Sequence, residues 1–448
     1  MSKKSSRATK TILTIAVLVV GIVTLAIAAY RARHDQSSTS DFDDFWLTGR
    51  HFLNTGEMTE DYGVHNYLPF FLLFFAPFSV LPLKVSSVVF NLIALTGFAF
   101  SVRVTDGLLA ESNHPNSSAP NSFLRRAAPV LMCSAYVIGT VIMGQMALMT
   151  LAMLVFAWRC AEKKQDLTAG FWLALAISTK VYPATLVPFF FLKRKWRLLA
   201  GTLVSSVLMN VVAVGLAFGS QETKRLYGEF WTRSVQGQSG LRLAVIKSDK
   251  MSYTNQSSSL LARRYTCPTD SGVDTSPGRP RHINIVNWDD SLVGFGSIRF
   301  TRSQWLLLAY YAVILGPTLW ICRHSWETCP RLRLQCEFAA FILLALLLSP
   351  IVWSFYYTLC YFPLALLNWK GLTQWRQGKR LTSTLVIAVF WWLGLVAIAV
   401  PLIRMGGYHW ACCLALFALM LAYAVRHPPR NTGEPKSTEM KNGEPSKT

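Results

Sequence analysis

The chain has 448 residues, of which 52% are hydrophobic and only 15% are charged, and its mean hydropathy is +0.33. Soluble domains carry about 25% charged residues, so the composition excludes an ordinary soluble domain and is typical of an integral membrane protein. The net charge of +21 does not indicate nucleic-acid binding, because the basic residues lie in short runs between apolar segments.

Apolar segments recur along the whole chain. They lie at 11–30, 67–82, 85–104, 127–143, 145–160, 167–178, 182–192, 197–219, 304–322, 335–349, 351–368, 382–403 and 409–426. The first follows a basic stretch and is longer than the core of a usual signal peptide, so we expect a retained anchor, with a cleaved signal peptide as the alternative. Several others are too short for a perpendicular membrane helix, which predicts short or re-entrant helices beside the spanning ones.

Basic runs predict which ends of these segments face the cytoplasm. The runs are residues 1–10, Arg125-Arg126, Lys163-Lys164, 193–197, the 323–333 loop, 369–380 and the tail after Arg426. All of them share one side only if segment 67–82, with Pro69, Pro77 and Pro82, re-enters without crossing. The sequence then predicts an all-α polytopic bundle of about twelve transmembrane helices over 11–426. Both termini are cytoplasmic, and the tail 427–448 has a disordered composition.

The most polar stretches then gather on the opposite, extracytoplasmic side. They are the 31–66 loop, the turns at Gly144-Gln145 and Thr179-Lys180, the long 220–303 loop, and the turn at Ser349-Pro350. A transport path would instead scatter polar residues through the spans. This convergence predicts a single extracytoplasmic site.

Asp41 is the candidate catalytic residue. It opens the sequence Asp41-Phe-Asp-Asp-Phe-Trp46, where neighbouring aromatic rings would desolvate a carboxylate and raise its pKa into a useful range for a general base. An ordinary solvated acidic loop is the alternative. Asp43 and Asp44 are secondary candidates, as partners of Asp41 or as residues on other helix faces. Two carboxylates with no third ligand make a weak signal for a metal, so we assign no metal-binding residues, and a metal requirement stays open.

Lys180 is the candidate phosphate-binding residue, because a lone cation in an apolar segment marks a functional position unless it snorkels to the interface. Arg263 and Arg264, in the long polar loop, are candidates to assist it, since guanidinium groups bind phosphate bidentately. A solvated loop without a ligand is the alternative for these two residues.

Further candidates would shape a sugar or acceptor site. Tyr67, Trp353 and Tyr356 offer aromatic rings for stacking, although an interfacial aromatic belt would use the same residues. Gln145 can hydrogen-bond a hydroxyl group or a helix-end carbonyl. The remaining candidates are Asn255 and Gln256 in the long loop, and the weaker Arg404 and His409 in the last outer turn.

Taken in order, these motifs resemble glycosyltransferase family 87, membrane enzymes of the GT-C type. The resemblance covers about 38–370. It consists of Asp41-Phe-x-x-Phe45 with Gly56, Tyr67-x-Pro69, Gly144-Gln145, Gly170-x-x-x-Ala174 before Lys180-x-x-Pro183, Asn255-Gln-Ser257 and Ser349-Pro-x-x-Trp353.

This resemblance implies transfer of a hexose, mannose in characterised members, from a polyprenyl-phosphate donor to a lipid-linked or glycan acceptor outside the plasma membrane. It further implies an inverting reaction with Asp41 as the base and a cation, Lys180 or Arg263, beside the leaving phosphate. The family often places a His after its Ser-Pro-x-x-Trp motif, where this chain has Phe355, Tyr356 and Tyr357. Another hexose therefore stays open as the substrate.

Two other classes compete with this interpretation. A transporter or lipid flippase would have inverted repeats and polar residues at mid-span, and the sequence shows no clear internal repeat. A structural membrane scaffold would not need an isolated lysine such as Lys180. The partners we expect are the lipid-linked sugar donor, the acceptor and membrane lipids, without nucleic acid.

Overall fold

The computed structural model describes residues 40–56, 67–111, 122–236, 256–266, 288, 291–295, 298–377, 391 and 407–429. Several predictions fall outside these residues. They concern the anchor 11–30, most of the apolar segment 382–403, Asn255, Arg404, the side chain of Arg264 and the tail beyond 429.

The first half of the described chain is helical. Its helices are α1 (Asp41–Thr55), α2 (Phe70–Ser79), α3 (Leu83–Glu111), α4 (Ser122–Met143), α5 (Ala147–Glu162), α6 (Asp166–Thr179), a 3₁₀ turn (Tyr182–Thr185), α7 (Leu186–Leu192), α8 (Trp196–Val207) and α9 (Val214–Phe230). Two π-helical stretches, Leu208–Ala213 and Trp231–Gln236, extend α8 and α9.

The second half adds one small sheet to the helices. Strands β1 (Leu292–Phe295) and β2 (Ile298–Thr301) pair antiparallel, with Leu292 opposite Thr301. The helices are α10 (Ser258–Thr266), α11 (Arg302–Ile321), α12 (Arg331–Leu348), a 3₁₀ helix (Ser354–Cys360), α13 (Tyr361–Arg376) and α14 (Tyr408–Val425). Apart from this hairpin, the described residues agree with the predicted all-α class.

Five of the described helices are long and apolar enough to cross a membrane. They are Leu83–Glu111, Phe123–Met143, the continuous stretch Trp196–Gln236, Arg302–Ile321 and Tyr408–Val425. The chain is therefore a multi-pass membrane protein, and the total of twelve crossings stays a prediction. Helix α2 has 10 residues and spans about 15 Å, half of the hydrocarbon thickness of about 30 Å. That length agrees with the predicted re-entrant segment.

Aromatic packing holds α2 against α1. Phe45 makes edge contacts with Phe71 and Phe75, at ring-centroid distances of 4.8 and 5.4 Å, and all three side chains are buried. At the far end of α2 the Trp46 indole donates to the Leu81 carbonyl at 2.9 Å. The carbonyls after a helix end need such partners away from water.

The Gly170-x-x-x-Ala174 motif is a helix-crossing site. A Cβ atom at Gly170 would lie 2.5 Å from the carbonyl oxygen of Leu198 and 2.6 Å from the amide of Thr202, both on α8. Gly201 approaches Leu167 of α6 in the same way, at 3.0 Å. Small residues let membrane helices approach this closely, so this motif sets the position of α6.

Ion pairs gather at one end of the bundle. Arg331 pairs with Glu111 at 3.0 Å and with Glu162, and Lys195 pairs with Asp166 at 3.1 Å. The buried Asp106 receives both Arg125 and Arg126, at 2.8 and 2.7 Å. Three of the basic runs predicted to share one side of the membrane, those of Arg125-Arg126, 193–197 and 323–333, thus take part in these ion pairs.

Three helices connect this basic end to a second, polar end. Helix α5 begins beside Gln145 and ends at Glu162, α6 ends beside Lys180, and α12 ends at Leu348. Their polar-end residues line one cavity.

The segment predicted as a loop from residue 220 begins as helix. Gly219 breaks the regular helix with φ 75° and ψ 168°, a conformation that glycine adopts readily. Arg225 then pairs with Glu222 and Glu229 at helical spacing, and such pairs stabilise an exposed helix. The helix continues to Gln236 and carries side chains to the cavity wall.

Candidate functional site

A cavity of about 660 Å³ opens at the polar end of the bundle. Its wall collects residues from α1, the segment before α2, the α4–α5 turn, the α6–α7 turn, the end of α9 with the π-helical stretch after it, and the end of α12 with the segment that follows. Among the predicted site residues, those in the wall are Asp41, Asp44, Tyr67, Gln145, Lys180, Trp353 and Tyr356.

Asp41 is the first residue of α1. The Ser40 side chain accepts from the Asp43 amide at 3.3 Å and caps the helix, and carboxylates in the first turn are stabilised by the helix dipole. Burial raises the pKa of Asp41, while a hydrogen bond from Gln145 and the charge of Lys180 oppose that rise. A carboxylate with a raised pKa suits a general base.

The helical start at Asp41 separates the three acidic residues. Asp41 and Asp44 are three positions apart and therefore share one helix face, and both line the cavity. Asp43 lies outside the cavity wall. This difference follows from helix phase, which the sequence alone did not fix.

Gln145 links Asp41 to the rest of the site. Its Nε2 donates to Asp41 Oδ2, and its Oε1 accepts from the Tyr67 hydroxyl at 3.4 Å. The turn that presents it depends on Gly144, whose φ is 63° and where a Cβ atom would lie 2.3 Å from Phe42 Cβ. Glycine therefore lets α1 pack directly on the turn.

Tyr67 is held by aromatic contacts. Its ring stacks on Phe71 at 4.2 Å and meets Phe45 edge-on at 5.1 Å. Burial raises the pKa of Tyr67 well above its ordinary value, with the charge of Asp41 adding to that effect. The phenol is therefore a hydrogen-bonding group in its neutral form.

Lys180 completes the connected set. It follows α6 in an extended conformation, with φ −156° and ψ 124°, and its Nζ donates to the Tyr67 hydroxyl at 2.5 Å. The ammonium lies 4.0 Å from the Tyr67 ring centroid and 5.0 Å from that of Tyr356. Burial lowers the pKa of Lys180 to about 7, and the charge of Asp41 opposes this change.

Trp353 and Tyr356 form the aromatic side of the cavity. Both follow the Ser349-Pro350 turn, at the point where a 3₁₀ helix begins. The Tyr356 ring contacts the ring of Tyr182 at a centroid distance of 5.5 Å. This pair closes the wall next to Lys180.

Other predicted site residues lie elsewhere. Gln256 and Arg263 are buried at the start of and within α10, and neither belongs to the described cavity wall. His409 is buried near the start of α14, with its ring 5.7 Å from that of Tyr136 and 5.6 Å from that of Tyr357. A phosphate role for Arg263 stays a prediction.

The cavity also has wall residues that the sequence interpretation missed. They are Tyr182, Thr185, Phe230, Ser234 and Val235, besides aliphatic residues of α12. Tyr182 follows Lys180 by two positions and was within reach of motif analysis. The other signal was the Glu-x-x-Arg-x-x-x-Glu pattern at Glu222–Glu229, which predicts a helix leading to Phe230.

The described residues contain no cluster of three or more His, Cys, Asp or Glu side chains that could hold a metal ion. In the cavity wall, the carboxylates are those of Asp41 and Asp44.

Comparison with known proteins identifies the family of this chain. The profile of glycosyltransferase family 87 matches residues 65–350, more than half of the chain. The chain belongs to this family. The matched range includes Tyr67, Gln145 and Lys180, whereas Asp41 precedes it and Trp353 follows it.

A curated protein is also similar to this family 87 chain. The chain is similar to the polyprenol-phosphate-mannose-dependent alpha-(1-2)-phosphatidylinositol mannoside mannosyltransferase of Mycolicibacterium smegmatis, with 23% identity over 329 residues. The similarity covers 69% of this chain and 63% of that protein, so the chain spans less than two thirds of the relative's length. No solved structure matches the chain.

Proposed function

We propose that this family 87 protein transfers a hexose, mannose in the first instance, from a polyprenyl phosphate to a lipid-linked or glycan acceptor. The observation that carries the proposal is the hydrogen-bonded chain Lys180–Tyr67–Gln145–Asp41 along the cavity wall. It joins a cation to a carboxylate in one cavity. Those are the two groups that a glycosyl transfer from a phosphate ester requires.

In the proposed reaction, an acceptor hydroxyl oxygen attacks the anomeric carbon while the bond from that carbon to the phosphate oxygen breaks. Asp41 takes the hydroxyl proton through Oδ1, because Oδ2 already accepts from Gln145. One displacement inverts the anomeric configuration. The electron pair of the broken bond leaves with the polyprenyl phosphate. Because this phosphate is the leaving group, the reaction needs no nucleotide.

Lys180 stabilises the leaving group in this scheme. Its ammonium lies in the cavity wall, and negative charge grows on the phosphate as the bond breaks, so a nearby cation stabilises the transition state more than the ground state. Tyr67 fixes the ammonium by accepting its hydrogen bond. Trp353 and Tyr356 provide aromatic surface beside the sugar.

The identity of the sugar and the side of the membrane belong to the proposal as well. Mannose is supported by the mannosyltransferase activity named for the Mycolicibacterium smegmatis relative. An extracytoplasmic cavity is supported by its position opposite the end that holds Arg125, Arg126 and Lys195, because basic residues favour the cytoplasmic side. The plasma membrane is the compartment that we propose.

The test compares Asp41→Asn with Asp43→Asn in membranes given radiolabelled mannosyl polyprenyl phosphate. We expect Asp41→Asn to lose roughly 10²- to 10⁴-fold of the transfer rate, as for removal of a general base. Asp43→Asn is the matched control, since this residue shares the helix turn but lies outside the cavity wall, and it should retain activity. Full transfer by Asp41→Asn would refute the base assignment.

A second variant tests donor binding. Lys180→Gln should weaken use of the donor by roughly 10- to 100-fold, the range for a lost hydrogen bond to a charged group. Kinetics equal to those of the parent protein would reject the phosphate role. Movement of a polyprenyl phosphate across the membrane without any glycosyl transfer would support the flippase alternative.

A further inference from the structure

Residues 256–260 lie behind the cavity wall. Gln256, Ser258 and Ser259 are at most 4% exposed, although they belong to the segment whose composition predicts a solvated loop. None of the three belongs to the described cavity wall. Their burial therefore needs an explanation other than direct contact with a substrate.

Two hydrogen bonds connect this segment to the last turn of α12 and to the chain that follows it. The backbone amide of Gln256 donates to the Val352 carbonyl at 2.7 Å, and the Ser258 hydroxyl donates to the Leu347 carbonyl at 3.1 Å. The Leu347 carbonyl lies in the last turn of α12, where carbonyls lack intrahelical partners. Pro350 cannot supply an amide donor to this helix end.

The two acceptors lie at the two ends of the Ser349–Trp353 turn, which forms part of the cavity wall. Leu347 precedes the turn and Val352 lies in it next to Trp353, while Ser349, Pro350, Ile351 and Trp353 all line the cavity. Within the turn, the Ser349 hydroxyl donates to the Ile351 carbonyl at 2.8 Å. The segment 256–260 thus hydrogen-bonds to both ends of the turn, and the Leu347 carbonyl also accepts from the Tyr310 hydroxyl at 3.5 Å.

We propose that residues 256–260 are a strap that positions the Ser349–Trp353 turn, with Ser258 as its positioning residue. The strap acts by fixing where Trp353 meets the sugar, and this part of the inference rests on the proposed function. It gives the Asn255-Gln-Ser257 motif a supporting role, through the backbone amide of Gln256, in place of the sugar contact predicted from sequence.

The chain offers a matched control on the same helix. Ser259 is equally buried, and its hydroxyl hydrogen-bonds with that of Tyr311 on α11 at 3.4 Å. We expect Ser258→Ala to raise the KM for the sugar donor roughly 3- to 10-fold, the effect of one lost hydrogen bond. Its kcat should stay near that of the parent, as for a loss of uniform binding.

Ser259→Ala should leave both constants unchanged, and Ser258→Thr, which keeps the hydroxyl, should restore KM. Thermal midpoints of the variants show whether a change reflects general destabilisation. Equal shifts of KM in the two alanine variants, or an unchanged KM in Ser258→Ala, would overturn the strap.

A second measurement does not depend on catalysis. Ile351→Cys places a thiol on the cavity wall, and its rate of maleimide labelling is compared in the Ser258→Ala and Ser259→Ala backgrounds, each corrected for the natural cysteines. Faster labelling in Ser258→Ala supports the strap even if no hexose donor is used, which would refute the proposed function alone. Equal rates in the two backgrounds would refute the strap alone.

Discussion

The carboxamide of Gln145 donates to Asp41 and accepts from Tyr67. One side chain, in the turn between α4 and α5, thereby joins Asp41 at the start of α1 to Tyr67 in the segment before α2. The hydrogen bond from Gln145 lowers the pKa of Asp41 against the larger effect of burial. Gln145 therefore tunes the proposed base as well as holding it in place.

Gln145→Ala should move the acid side of the pH–rate profile to higher pH. The carboxylate of Asp41 loses a donor that favours its charged form, so its pKa rises further and a larger fraction is protonated at a given pH. We expect kcat/KM to fall more on the acid side of the profile than near neutrality. A pH series of initial rates measures this shift.

Gln145→Asn is the control for the loss of amide chemistry, because its amide group is kept on a shorter side chain. It should behave like Gln145→Ala if reach decides the effect. An acid limb with the same midpoint in Gln145→Ala and the parent protein would show that Gln145 does not act on Asp41.

The basic side of the same profile should report Lys180. Its pKa lies at about 7, and only the protonated form attracts phosphate, so donor binding is present below this pH and is lost as pH rises through it. Asp41 must be ionised, so activity also falls as pH drops through its raised pKa. We expect a bell-shaped dependence of kcat/KM with its maximum on the acid side of neutrality.

Lys180→Arg separates the two limbs. Arginine stays protonated throughout the accessible range, so the loss of activity above neutral pH should disappear in this variant, while the acid limb stays. A basic limb with an unchanged midpoint in Lys180→Arg would assign that limb to another group.

Sequence reasoning located the polar groups of the site because each one interrupts an apolar segment. Lys180 and Gln145 stand out in this way, and a polar side chain at a helix end within a membrane bundle is costly unless it has a role. The sequence singled out Asp41, but whether Asp43 or Asp44 shares its helix face depends on helix phase, which the sequence alone did not fix. The helix start at Asp41 settled which carboxylates face the cavity.

The rest of the wall depends on long-range packing. Val235 reaches the cavity because the helix continues past the kink at Gly219, and composition alone favoured a loop there. Gln256 was predicted to contact the sugar; it lies outside the described cavity wall, and its backbone amide donates to the Val352 carbonyl at 2.7 Å. A hydrogen bond between residues almost a hundred positions apart leaves no local periodicity to detect.

Gly144→Ala should impair the site without removing any polar group. The new methyl group would collide with Phe42, and the left-handed backbone adds strain for a residue with a Cβ atom. Since Phe42 adjoins Asp41, the collision displaces the proposed base from Gln145. Overpacking of this kind costs about 1–3 kcal/mol of stability.

Kinetics and thermal unfolding together check this prediction. We expect kcat to fall more than the loss of folded protein explains. Gly97→Ala is a suitable control, because a Cβ atom at Gly97 would only touch the methyl group of Ala152 at 3.3 Å. Full activity in Gly144→Ala would show that α1 can shift without consequence.

At the opposite end of the bundle, Asp106 should be a stability residue with no direct part in transfer. It is 6% exposed and receives two guanidinium groups, Arg125 and Arg126, and Arg125 also stacks on Trp369 with 4.4 Å to the ring centroid. Asp106→Asn would leave Arg125, itself 8% exposed, without its charge partner, which costs about 3–5 kcal/mol in a buried pair.

Glu111→Gln is the matched control, because Glu111 is 48% exposed and such pairs contribute about 0–1 kcal/mol. Unfolding in mild detergent should show a large loss for the first variant and a small one for the second, with KM of the remaining folded enzyme unchanged in both. Equal losses of stability in the two variants would mean that solvent screens the charge of Asp106 as effectively as it screens the charge of an exposed residue.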